Sequence, residues 1–306
     1  MYQLTRSLRH FVQRVENAEE LDPAAERLQG YAMRATGAAP LKRALSGEPI
    51  GHRLHPLLTD VTISCWASAS ILDLVAPVSG APAARRLTGL GIVSALPTAA
   101  TGVSDWADTY GAARRVGLVH LASNTVALAL QMRSWSARRR GHHVEGALFG
   151  LGAIGALTVA GYLGGHLVYV QRVGVDAEVT LVGDDGWHPA CRTDDIVHDN
   201  QPFGATVEGA RVVLVRRGGY VYALAATCTH AGGPLDEGEV RGNVLVCPWH
   251  HSEFCLDTGE VERGPATTPE PVYETRLRGG MIEVRRSDPE RAGRVAAVDL
   301  TAVAEA

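Results

Sequence analysis

Cys228-Thr229-His230 and Cys247-Pro248-Trp249-His250 set one thiol and one imidazole together twice, in the pattern C-x-H-x16-C-x2-H. Each short stretch can present one sulfur and one ring nitrogen from a turn. Two such turns facing each other offer two sulfurs to one iron and two nitrogens to a second. Iron–sulfur chemistry needs soft thiolates to hold ferric iron, and neutral imidazoles in place of a second thiolate pair lower the negative charge and raise the potential. The competing chemistry is a tetrahedral zinc site with two Cys and two His ligands. Zinc fingers usually group the cysteines as C-x2–4-C and the histidines as H-x3–5-H, with the histidines on a helix. Here Cys and His alternate, and the flanks Ala231-Gly-Gly-Pro-Leu and Gly264-Pro265 put both pairs on loops.

From about Asp176 to Arg286 the chain resembles the Rieske-type ferredoxin family. Cys228-Thr-His-Ala-Gly-Gly-Pro-Leu and Cys247-Pro-Trp-His-His-Ser-Glu-Phe-Cys-Leu-Asp-Thr-Gly carry that resemblance, over a little more than a third of the sequence. It implies a [2Fe–2S] cluster with Cys228 and Cys247 on one iron and His230 and His250 on the other. High-potential respiratory members of the family carry an extra cysteine in each ligand loop, and the two form a disulfide. The matching positions here are Gly233 and Trp249, which cannot. Those members also bond the cluster sulfurs through a Ser and a Tyr after the second ligand His. Ser252 keeps the first; Phe254 lacks the hydroxyl of the second. A donor to sulfur stabilises the more negative reduced form, so the resemblance implies a low-potential centre. His251 stands where the family often has Gly, so a side chain there alters the turn or covers the cluster edge.

Three hundred and six residues suggest about two domains. A net charge of −4 argues against a nucleic-acid partner. The cysteines are Cys65, Cys191, Cys228, Cys247 and Cys255; outside the ligand pair they show no disulfide spacing, which fits a reducing compartment. Cys255 reads as a core thiol rather than a ligand. Met1–Glu20 contains no signal-like apolar stretch.

The expected architecture is α+β in two domains: a four-helix transmembrane bundle followed by an antiparallel β-sandwich. Residues 1–50 form a polar N-terminal segment, 51–170 the membrane domain, 176–286 the cluster domain and 287–306 a tail or terminal helix. Leu4, Leu8, Phe11, Val12 and Val15 recur at helical spacing, as in an interfacial helix or an ordinary surface helix. The apolar runs are Leu57–Val78, Leu87–Ser104, Val116–Met132 and Gly146–Val170, of 22, 18, 17 and 25 residues. About 20 apolar residues cross a bilayer. Their Gly and Ala content suits close membrane packing, and none shows the charged face of a soluble bundle helix.

The short-loop cations tie. Lys42, Arg43, Arg53, Arg114, Arg115 and Arg172 lie on the N-terminal side; Arg85, Arg86, Arg133, Arg138, Arg139 and Arg140 lie on the other. Five further Arg in the N-terminal tail tip both termini to the cytoplasmic face of an inner (plasma) membrane. Gly51-His-Arg-Leu-His-Pro, Ser104-Asp-Trp and Gly161-Tyr-Leu-Gly-Gly-His-Leu-Val-Tyr resemble a family of uncharacterised four-helix bacterial membrane proteins. That resemblance implies topology and no activity.

This topology brings His52, His55, Asp60, Asp105, His120 and His166 toward one membrane face. They either bond one another and reach water, or form a haem, metal or quinone site; His55, His120 and His166 are the haem or quinone candidates. Period-two runs at Val179–Val182, Arg211–Val215, Tyr220–Leu224, Val244–Cys247, Val272–Leu277 and Met281–Val284 predict strands, with hairpin turns at Gly218-Gly219 and Gly279-Gly280. The sequence points to a one-electron carrier working between a reductase and a redox partner or membrane site. The alternatives are a quinone- or haem-linked oxidoreductase and a Rieske oxygenase component, whose 2-His-1-carboxylate iron site has its one mimic in His52, His55 and Asp60.

Overall fold

The computed structural model describes residues 2–175, 180–183, 185–287 and 297–300, with side chains given for neither the first five residues nor Ala39. The described residues separate into two compact units, Met1–Gly47 with Arg53–Val173, and Glu48–His52 with Gly174–Ala306.

The first unit is helical: α1 (Tyr2–Glu16), α2 (Asp22–Thr36), α3 (Ala39–Ser46), α4 (Leu54–Val75), α5 (Ala81–Trp106), α6 (Gly111–Arg139) and α7 (His143–Tyr169). One core layer takes a buried residue from each long helix: Trp66, Ala95, Ala127 and Leu157. Trp66 can bring its indole N–H edge against α5, donating to Thr88 O at 3.3 Å, because Gly91 has no side chain; a Cβ there would sit 2.3 Å from the indole nitrogen. The α4–α5 seam is glued by hydroxyls, with Thr62 Oγ1 3.0 Å from Ser94 Oγ and 3.1 Å from Thr98 Oγ1. Leu90, Val93, Leu96 and Leu148 face outward and exposed, as on a surface that meets lipid.

Three of these helices, α4, α5 and α7, are long and apolar enough to cross a membrane. The expected fourth, over Val116–Met132, becomes the middle of α6, which is longer but more polar. Ser134, Gln131 and Arg138 are buried inside it. Arg138, placed by sequence in a loop, is 1 % exposed and holds Asp73 of α4 through two bonds of 2.7 and 2.5 Å.

The N-terminal segment is more helical than its polar composition suggested. Val12 and Val15 of α1 pack with Val116 of α6 and Leu163 of α7, while Leu8 and Phe11 stay exposed. The helix is thus docked by one edge; Leu4 lies outside the described side chains. α2 opens on Asp22-Pro23, and its Asp22 takes both Arg115 (2.6 Å) and Arg114 (3.2 Å) from the first turn of α6.

The second unit is β, with every named strand pair antiparallel. One sheet runs β1 (His188–Arg192), β10 (Met281–Arg286), β9 (Val272–Arg278), β4 (Tyr220–Ala225), β3 (Ala210–Arg217) and β2 (Pro202–Val207), with β11 (Val298–Asp299) beside β4. Its end strands β1 and β2 approach each other, so the sheet curls toward a barrel rather than lying flat in the expected sandwich. Twist accumulated across six strands does this. A second, smaller sheet follows the order β5 (Glu239–Arg241), β6 (Val244–Val246), β7 (Glu253–Cys255) and β8 (Val261–Arg263).

The two Gly-Gly turns join β3 to β4 and β9 to β10 with φ values of 56° and 86°, and 59° and 77°. Positive φ at both central residues is the type I′ geometry that hairpin twist favours. Two expectations are corrected. Thr180–Val182 forms no strand, although Val182 is buried in the core, and Val179 lies outside the described residues. The tail returns to the sheet: Val298 and Asp299 pair with Val221 and Tyr220. Residues 288–296 and 301–306 of the expected tail or terminal helix lie outside the described residues.

Candidate metal centre

Three loops build the centre: one leads into the small sheet, one joins two of its strands and one leads out of it. The first, between β4 and β5, bears Cys228 and His230. It is closed on itself by the Cys228 amide donating to Gly233 O and the Gly232 amide to Cys228 O, each at 2.8 Å. The second is the turn of the β6–β7 hairpin and bears Cys247 and His250. The Cys247 amide donates to Ser252 O at 2.9 Å and the His251 amide to Cys247 O at 3.1 Å. His251 holds that turn with φ of 58°, a left-handed conformation that costs a residue with a Cβ, and its side chain points to solvent. The turn is therefore kept despite the side chain.

Cys228 and Cys247 are each 1 % exposed. Their thiols share a hydrogen bond, which pushes Cys228 far up, with burial and the neighbouring charges of Cys247 and Glu270 adding to it. The same bond pulls Cys247 down to about 6, against burial and helped by the amides of Trp249 and His250. A buried thiolate under backbone N–H groups suits a metal-bound sulfur. The rings of His230 and His250 meet edge to face, with centroids 4.8 Å apart. The donors thus come in two pairs, thiol with thiol and imidazole with imidazole. Among the described residues no three His, Cys, Asp or Glu side chains converge on one metal position, as a mononuclear site would require. A binuclear cluster asks only two protein ligands of each iron.

The residues fit such a group in shape as well. Gly233 leaves room beside the sulfurs: a Cβ there would lie 2.9 Å from Cys247 Sγ and 3.2 Å from the Trp249 ring. Gly233 and Trp249 do face each other, and the indole, 51 % exposed, covers the position. Ser252 is fully buried and its Oγ accepts the Ala266 amide at 3.0 Å. Phe254 packs in one apolar cluster with Cys228, Cys247, Leu245, Leu256 and Ala266. Cys255, on β7, lies 3.6 Å from the Asn243 amide nitrogen, consistent with a packing thiol.

The third loop, between β8 and β9, escaped the sequence reading. Its Ala266 amide holds Ser252 of the second ligand loop, and its Thr268 carbonyl accepts the Thr229 hydroxyl of the first at 2.8 Å. Gly264-Pro265 beside the motifs was the available signal.

Residues 186–275 match the family described as Rieske [2Fe-2S] domain. Ferredoxin CarAc of Metapseudomonas resinovorans is 32 % identical over 98 residues, which span 32 % of this chain and 92 % of that protein. The chain belongs to the Rieske [2Fe–2S] family. The anthranilate 1,2-dioxygenase ferredoxin subunit of Burkholderia cepacia is also 32 % identical, over 99 residues spanning 32 % of this chain and 90 % of that protein. The 3-phenylpropionate/cinnamic acid dioxygenase ferredoxin subunit of Escherichia coli K12 is 36 % identical over 72 residues, 23 % of this chain and 68 % of that protein. The Rieske domain here is thus of the ferredoxin type, whose cofactor is a [2Fe–2S] cluster and whose work is electron transfer. Residues 51–177 match the family described as Predicted membrane protein (DUF2231), so the Rieske domain is fused to a membrane-protein domain.

Among the described residues, the polar groups of the helical unit do not gather into a metal site. The His55 ring lies 3.0 Å from Thr98 O and 3.3 Å from Thr101 Oγ1 through Nδ1. His120 uses both nitrogens, Nδ1 with Ala160 O at 2.8 Å and Nε2 with Asn124 Nδ2 at 3.1 Å. His166 pairs with Glu16 at 2.8 Å and Asp105 with Arg53 at 3.5 Å. His52, His55 and Asp60 are not brought together as ligands of one ion.

Proposed function

We propose that this protein is a membrane-anchored one-electron carrier, loaded by a reductase and discharged to an oxygenase, an oxidase or a redox site in the membrane. Cys228 and Cys247 hold one iron and His230 and His250 the other. The observation that carries the reading is the pairing of two buried thiols and of two imidazoles that meet edge to face, from two facing loops. The cluster supplies reversible one-electron chemistry; the protein binds it, screens it from water and orients hydrogen bonds to it. Ser252 has its oxygen committed to Ala266, which leaves its proton for a cluster sulfur. Phe254 closes the core behind the sulfurs and donates nothing.

The helices α4 to α7 form a four-span bundle in the inner membrane, with both termini cytoplasmic and the Rieske domain facing soluble partners. The small-residue seams and apolar exteriors support four spans, α6 crossing among the other three with its polar groups turned inward. The dioxygenase ferredoxins to which the domain is similar support an oxygenase or a reductase as partner. No observation favours an iron oxygenase site at His52, His55 and Asp60, and a haem on His120 would have to displace either Asn124 from Nε2 or the Ala160 carbonyl from Nδ1.

Absorption spectra of the full chain purified in detergent test this reading. Iron–sulfur bands without haem bands, bleached by a one-electron reductant, are expected. Haem bands would move the function to a haem-linked oxidoreductase. A C-terminal reporter active only outside the cytoplasm would overturn the orientation.

A further inference from the structure

Thr229 stands between Cys228 and His230, and both of its donors are taken by the third loop. Its hydroxyl bonds Thr268 O, and its amide donates to Glu270 Oε1 at 2.6 Å. Glu270 is 2 % exposed. Its own amide is anchored on Gly259 O at 2.9 Å, and the next residue, Pro271, accepts the Ala225 amide at 2.8 Å. The carboxylate is therefore fixed, buried and aimed at the ligand loop. A buried charge is weakly screened, and its field on a neighbour exceeds that of a surface charge.

We propose that Glu270 sets the potential of the cluster: its buried negative charge, held at the amide between two ligands, disfavours the added electron and keeps the midpoint low. Two effects act in the same direction. The charge itself repels the more negative reduced state. The Thr229 amide, committed to the carboxylate, is withheld from the sulfurs, to which amide donors would raise the potential. The inference rests on the proposed ligand set.

The test is a redox titration of the full chain and its Glu270→Gln variant. Gln keeps an acceptor for Thr229 and removes only the charge. The midpoint of the variant is expected to rise, and the rise to persist at high salt, where the effect of a surface charge would fade. Glu270→Asp and Glu270→Asn give the same comparison should the Gln variant fail to take up a cluster. An intact cluster with an unmoved midpoint in the neutral variants overturns the proposal while leaving the ligand set standing. Loss of the cluster from both neutral variants, with Asp retaining it, assigns Glu270 a structural role and overturns it too. A wild-type chain without a cluster sinks the ligand set itself.

Discussion

The hydroxyl oxygen of Ser252 lies 3.0 Å from the Ala266 amide, which donates to it. The loop between β8 and β9 thereby fixes the Ser252 hydroxyl, which we propose donates its proton to a cluster sulfur. Ser252→Ala should lower the midpoint potential. Phe254→Tyr, which adds a second hydroxyl within the same apolar cluster as both thiols, should raise it. The wild-type midpoint is expected near or below about 0 mV, within the roughly −150 to +300 mV range of Rieske centres. Redox titration of the three proteins checks the order; a wild-type value near the top of that range would point to quinol oxidation instead.

His251 occupies a left-handed turn with φ of 58°. His251→Gly should relieve strain and stabilise the Rieske domain by about 1 kcal/mol. Thermal unfolding read through cluster absorbance measures this, and a destabilised variant would show that the imidazole makes contacts worth more than the strain.

Arg138 and Asp73 are buried together between α6 and α4. Removing one partner leaves the other charge uncompensated, at a cost of about 3–5 kcal/mol. Asp73→Asn should lower the unfolding temperature in detergent sharply. Asp73→Asn combined with Arg138→Met should recover part of the loss, and additive effects would contradict a shared interaction.

Asp22 gives a pH signature. The Arg115 guanidinium bound to it holds its carboxyl at about 2 rather than 3.8, against burial and with Arg114 adding to the hold. A depressed folded-state pKa contributes stability above the unfolded value and loses it on acidification. The contribution should thus be complete above about pH 4 and fade toward pH 2. Unfolding midpoints across that window should fall more steeply in the wild type than in Asp22→Asn.

Cys191 lies in β1, buried and pushed up to about 12 by desolvation, with Asp195 adding to it. It should resist thiol reagents at pH 8 in the folded protein and react on unfolding. Labelling of Cys191 at the rate of a free thiol would contradict its place in the core.

The two loops bearing Cys228 with His230 and Cys247 with His250 were legible because their pattern is local: four residues at fixed spacing, flanked by turn-formers. The Gly-Gly hairpins were legible for the same reason. Strands β1 and β2 were not, since His188–Arg192 and Pro202–Val207 carry Pro, Gly and charge and are held by long-range pairing with β10 and β3. Three-residue strands such as β7 and β8 offer too little period to read. Arg138 looked like a loop cation because its burial depends on Asp73, 65 positions away. The Thr229–Glu270 bond, across 41 positions, was hidden likewise. In each case the missing information is a tertiary contact that local propensity cannot encode.

Pulsed EPR of the reduced full chain, carrying 15N-labelled histidine, tests the central claim most directly. Mixed ligation by Cys228, His230, Cys247 and His250 predicts one unpaired electron per two irons, coupled to the nitrogens of two imidazoles. A cluster signal with no histidine coupling, or a purified chain holding zinc and no iron, would contradict it.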